Sequence, residues 1–204
     1  ETFFNLSEEK KNRDIEAALD EFSEYTYYKA NITRIVDKAE IAKGSFYQYF
    51  SDKKDLFNYI IELIVKEKMK YLKEVQNDKD NMDFFQLLRA LYVAGFKFAM
   101  DHPRLNEIGN NLYKNKDHSI YQEVIENQKD KSINFFKNLL KKGKKQGELD
   151  PEIDVNLTAH ILTTINLALG DEYLYEDNQI NMEDMEIIDK MLYIIKNGIK
   201  NDNN

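Results

Sequence analysis

Apolar residues recur along this chain every three to four positions, the period of helices that bury one face. Ile15, Ala18, Leu19 and Phe22 make the first stripe, behind Ser7, a residue suited to capping a helix start. The stripe ends near Tyr25, and an aromatic link follows at residues 26–30. Asn31 is a fitting cap for a short second helix that buries Ile32, Ile35, Val36 and Ala39. Glu40, Ile41 and Ala42 form a turn with Ile41 as its apolar plug. A third helix runs from about residue 43 to 50, with Phe46 and Phe50 one turn apart and facing inward. Ser51 and Asp52 then cap a long helix carrying Leu56, Tyr59, Ile60, Leu63 and Ile64 that fades near Asn77. At ~1.5 Å per residue such a helix reaches about 39 Å, enough to join a small head to a larger body.

After a polar stretch at residues 77–83, a fifth helix is apolar on most sides (Phe84, Phe85, Leu87, Leu88, Leu91, Tyr92, Val93, Phe96 and Phe98), as expected at the centre of a bundle. Pro103 opens a short helix to about residue 112. A long one spans about 119–145, closed by Gly143, Gly147 and Pro151. Two more follow at about 155–170 and 182–199. The pattern predicts an all-α fold of about nine helices: a three-helix head and a C-terminal helical bundle, divided at residues 1–56 and 57–204.

Composition narrows the chemistry. With no cysteine, disulfides, thiolate metal sites and cysteine nucleophiles are excluded. His102, His118 and His160 are scattered, no metal-binding or nucleophile motif occurs, and no Gly-rich phosphate loop precedes a helix. Neither an enzyme nor a cofactor is expected. No apolar run is long enough to span a membrane, and the first residues lack the basic start and apolar centre of a secretory signal, so a cytoplasmic protein is expected. The net charge is −8, yet Lys29, Arg34, Lys38, Lys43, Lys53 and Lys54 gather around residues 29–54 against only Asp37, Glu40 and Asp52. A local basic, aromatic patch on an acidic chain points to a phosphate backbone as partner. Two short helices joined by a tight turn follow the helix-turn-helix plan, in which the second helix enters the major groove. Arg34, Lys43, Gly44, Ser45, Tyr47, Gln48, Tyr49 and Lys53 are the candidate DNA contacts. Gln can read adenine, whereas Lys, Ser and Tyr mostly hold phosphates. Lys53, at the next helix start, is expected to set about one unit of the salt dependence per head.

The stretch IVDKAEIAKGSFYQYFSDKKDLF resembles the DNA-binding head of TetR-type transcriptional regulators, through Ile35, Ala39, Ile41, Lys43, Gly44, Tyr47, Tyr49, Phe50, Lys53, Leu56 and Phe57. Ile15, Ala18 and Phe22 agree with that family's first helix, and residues 146–169 resemble the segment leading into its eighth. The resemblance implies a homodimer paired through the last two long helices, double-stranded operator DNA as partner, and a small-molecule effector inside the C-terminal bundle that releases a repressor from DNA. Phe85, Tyr92, Phe96, Tyr113, Phe135, Asn166 and Tyr173 are the candidate pocket residues. Three departures stand out: Glu40 replaces the turn glycine, Ala42 replaces a capping Ser or Thr, and Thr26 replaces a glycine. These, with the acidic total, keep an alternative open, a helical module of the same fold acting through a protein partner.

Overall fold

The computed structural model describes residues 3–77, 81–169 and 185–199. These hold a short 3-10 turn at Phe3–Asn5 and nine α-helices: α1 (Glu8–Glu24), α2 (Ile32–Lys38), α3 (Lys43–Tyr49), α4 (Lys53–Asn77), α5 (Phe84–Asp101), α6 (Pro103–Tyr113), α7 (Ser119–Gln146), α8 (Val155–Leu169) and α9 (Glu186–Ile199). The all-α expectation holds. Residues 182–184, expected to begin the last helix, lie outside the described residues, as does Tyr173.

The backbone falls into two compact units, one of residues 1–67 and 102–121, the other of 68–101 and 122–204. In the first, the apolar stripe of α1 closes on α4. Phe22 and Phe57 are almost fully buried and meet edge to face at 4.9 Å, and Ile60 on α4 is fully buried. Phe3 sits 5.1 Å from Phe50 and 5.5 Å from Tyr59. Residues 102–121 enter the same unit because α6 carries groups that α1 needs. The Asn111 side chain donates to the Phe22 and Ser23 carbonyls at 3.1 and 2.7 Å, which satisfies the open end of α1. Arg104 donates to Asp20 and Glu16 at 2.8 and 2.6 Å.

The second unit is built on the apolar α5. Phe84, Leu88, Tyr92 and Phe96 pack with Ile133, Phe136, Leu140, Leu149, Leu162, Ile188 and Leu192. Glycine plays two roles at the end of α7. Gly147 has φ 76°, and the Glu148 amide donates to the Gly143 carbonyl at 3.0 Å, a left-handed helix end that glycine enters without strain. Gly143, expected as a second terminator, instead lies inside α7. A Cβ there would come within 2.9 Å of Leu149 and 3.0 Å of Phe84, so this glycine is a packing residue.

Candidate nucleic-acid interface

The two short helices of the head are held by local chemistry at both ends. The Asn31 side chain accepts from the Thr33 amide at 2.8 Å, capping α2. Ile35 and Val36 bury its inner face. At its far end the Ile41 amide donates to the Val36 carbonyl at 3.0 Å and the Glu40 amide to the Asp37 carbonyl at 3.2 Å. This is the same six-residue helix end as at Gly147, except that Glu40 occupies the left-handed position, with φ 54°. A non-glycine residue there is strained by about 1 kcal/mol. Glu40→Gly is therefore expected to raise head stability by about 1 kcal/mol, read as a Tm rise of a few degrees. An unchanged or lower Tm contradicts this account of the turn.

Helix α3 begins at Ala42, which contributes no side-chain cap, and only Phe46 is fully buried. Lys43, Gly44, Tyr47 and Gln48 are exposed, while Ser45 and Tyr49 are half-buried. Tyr47 stands half in solvent, its ring edge-on to Phe46 at 5.1 Å. A Cβ at Gly44 would meet nothing within 4 Å, so the fold itself does not require glycine here. Behind α3, Asp52 and Asp55 cap the start of α4. Asp55 accepts from the Ser51 amide and hydroxyl at 2.9 and 3.1 Å, and Asp52 accepts from the Asp55 amide at 2.8 Å.

The basic residues divide into two groups. Arg34 is committed inward. Its guanidinium donates to the buried Glu21 carboxylate and to the Lys29 carbonyl, and lies 4.2 Å over the Tyr25 ring. The Glu21 hydrogen bond holds its pKa above the ordinary arginine value. The Asn31 amide also donates to Glu21 at 2.7 Å, so one carboxylate ties the α2 start to α1. Lys38 pairs with Asp20 at 2.9 Å. Lys53 points inward: its ammonium donates to the Ala30 carbonyl at 2.9 Å, lies 4.7 Å from the Tyr27 ring, and is pushed by burial below the ordinary lysine range. Lys43 is exposed, and its ammonium donates to the Thr33 hydroxyl at 3.4 Å. The basic face is thus thinner than its sequence suggests. Glu21 carries no local signal in the sequence, because its partners lie ten and thirteen positions away.

The candidate pocket residues divide as well. Tyr92 and Phe96 are closed into the second unit's core, and Phe85 and Phe135 pack against it. Burial pushes the Tyr92 hydroxyl's pKa well above its ordinary value. Asn166 is half-buried on α8. Tyr113 belongs to the first compact unit, where its ring lies edge-on to Tyr121 at 6.3 Å.

Two short helices meeting across a left-handed turn, with the second presenting its polar side outward, define a helix-turn-helix DNA-binding protein. Known proteins agree. The family model for bacterial regulatory proteins of the tetR family matches residues 15–60, and that for the tetracyclin repressor-like C-terminal domain matches residues 82–200. A TetR family transcriptional regulator from Chloroflexus aurantiacus is 31% identical with a TM-score of 0.71, over 98% of this chain and 97% of that one. The uncharacterized HTH-type transcriptional regulator YhgD of Bacillus subtilis is 24% identical over 164 residues, 80% of this chain and 84% of YhgD. The Bacillus subtilis regulator FadR, solved in complex with stearoyl-CoA, shares the fold at a TM-score of 0.68 and 18% identity, over 90% of this chain and 96% of FadR. This chain belongs to the TetR family of transcriptional regulators.

Proposed function

We propose that this regulator is a homodimeric repressor that holds operator DNA through α3 and is released when a small molecule binds in its C-terminal part. The observation that carries the DNA half is the outward row Lys43, Gly44, Tyr47 and Gln48 on a helix whose opposite side is pinned by Phe46. Gln48 is suited to reading a base edge, and Lys43 and Tyr47 to holding phosphates. Gly44 lets the backbone approach the DNA, since nothing in the protein itself fills that space. Residues 1–56 carry this work, and residues 57–204 the effector and the dimer.

Support for dimerisation comes from α8 and α9. Leu157 and Ile161, one turn apart on α8, are exposed, and Tyr193 and Ile194 on α9 are 72% and 73% exposed. Large exposed apolar side chains on two successive helices fit a self-complementary two-fold contact. Release by the effector is a population shift, so the effector must prefer the conformation that does not bind DNA.

The DNA half is tested by the salt dependence of operator affinity. Lys43→Ala is expected to lower the slope of log K against log salt by about 0.9 per head. Lys53→Ala is expected to change the slope less, because its charge is spent on Ala30 and Tyr27. An unchanged slope for Lys43→Ala removes α3 from the phosphate contacts.

A further inference from the structure

Helix α6 follows α5 across His102 alone, yet it packs within the head's unit while α5 belongs to the other. Its first turn carries Arg104, whose guanidinium donates to two carboxylates of α1, Glu16 at 2.6 Å and Asp20 at 2.8 Å. Those acids lie one helical turn apart on one face of α1, and the planar fork of arginine spans both. Asp20 divides its oxygens between two helices. Its Oδ1 accepts from Arg104 on α6, and its Oδ2 pairs with the Lys38 ammonium at 2.9 Å. The Lys38 hydrogen bond, and after it that of Arg104, hold the Asp20 carboxyl below the usual carboxylate range against the opposing pull of burial.

Lys38 is the last residue of α2. The next residue of α1, Glu21, grips the other end of α2 through the Asn31 amide and Arg34. Two consecutive carboxylates of α1 thus hold α2 at its end and at its start, and it is the grip on the end that α6 shares. That end leads straight into the left-handed turn at Glu40 and on to α3. Further along α6, Asn111 donates to the Phe22 and Ser23 carbonyls, which fixes α6 on the same last turns of α1.

We infer that Arg104 is a positioning residue for the operator-reading helices: from α6, and through the shared Asp20 carboxylate, it sets how firmly the last turn of α2 is held. With Arg104 in place, Asp20 is fixed where Lys38 meets it. A shift of α6 draws Asp20 away or releases it, and the α2 end, with the turn that leads to α3, loses a fixed partner. Helix α6 is in this way a second line into the head, beside the continuous helix α4. This inference rests on the regulator reading above and adds a route by which the conformation of α6 reaches DNA binding. Partly exposed pairs are individually weak, so the effect is graded, about two- to fivefold. Its signature is that Arg104 and Lys38 do not act independently.

The test measures amide hydrogen exchange of α2 in the full, DNA-free chain, well below its melting temperature. Affinity for a duplex carrying the promoter of its own or an adjacent gene is measured beside it. Arg104→Gln is expected to speed exchange of the α2 amides about two- to fivefold and to weaken operator binding by a similar factor. In a Lys38→Gln background, where Asp20 no longer holds α2, Arg104→Gln is expected to change neither quantity further. Lys38 is exposed, so this background keeps the fold. An Arg104→Gln effect of equal size in both backgrounds overturns the assignment, because Arg104 then acts by general charge or stability. No effect on α2 exchange in the otherwise wild-type chain overturns it as well. So does faster exchange with unchanged operator affinity, since the tie then does not reach the DNA. Specific operator binding with unaltered α2 exchange sinks the Arg104 assignment alone, whereas a wild-type chain without specific operator binding sinks the regulator reading and this inference with it.

Discussion

Phe57→Ala is expected to cost about 3–5 kcal/mol of stability in the first compact unit, the range for removing a buried aromatic ring. Phe57 is 2% exposed, meets Phe22 edge to face at 4.9 Å, and lies 5.0 Å from the Tyr27 ring. The same ring contacts therefore join α4, α1 and the link that precedes α2. A loss of that size is a large part of a typical domain's net stability. Specific operator affinity should fall by at least about a hundredfold, because α3 loses its support. The measurement is a urea melt followed by circular dichroism, paired with an operator titration. A melt with an early phase belonging to the head, and a retained later phase, is the expected result. Wild-type operator affinity in Phe57→Ala would show that the aromatic cluster does not support the reading helix.

The second large effect is expected at Glu21, a residue that touches no DNA in this account. Its carboxylate is buried, accepts from the Asn31 amide and takes the Arg34 guanidinium. Glu21→Ala removes both bonds and is expected to destabilise the head by about 2 kcal/mol, less than a fully buried pair because Asn31 and Arg34 can turn to water. Operator affinity should fall with stability, although the change removes a negative charge near DNA. Arg34→Ala should lower stability too, since it strands the buried carboxylate. Thermal melts of both variants, with operator titrations beside them, decide the matter. An Arg34→Ala protein of wild-type stability and weakened DNA binding would make Arg34 a direct phosphate contact, against the geometry described here.

These two sites show which parts of the molecule are readable in the sequence. The helices were legible because their causes are local: the stripe from Ile15 to Phe22, the cap at Asn31, the caps at Ser51 and Asp52. Glu40 was legible as a point of strain only through the family resemblance, in which it replaces a turn glycine, and it adopts φ 54°. The long-range choices were not legible. Arg34 and Lys53 looked like phosphate contacts because charge near a helix-turn-helix suggests one. Their inward partners, Glu21 and the Ala30 carbonyl, are set by how α1 and α4 close on the turn. Gly143 looked like a terminator because Gly147 is one; only packing against Phe84 and Leu149 separates their roles. Residues 102–121 carried no signal of joining the head's unit, because the Asn111 bonds to Phe22 and Ser23 appear only once α6 meets α1.

The most direct test of the regulator reading is an anisotropy titration of the wild-type chain against labelled promoter DNA from its own or an adjacent gene, with scrambled duplex of equal length as competitor. Saturable binding is expected at a site of two half-sites, two chains per duplex, persisting against at least about a hundredfold excess of scrambled DNA. Binding that scales with duplex length and is lost equally to either competitor would contradict it. If no DNA affinity remains even at low salt while a protein co-purifies with the chain, the fold acts through that partner instead.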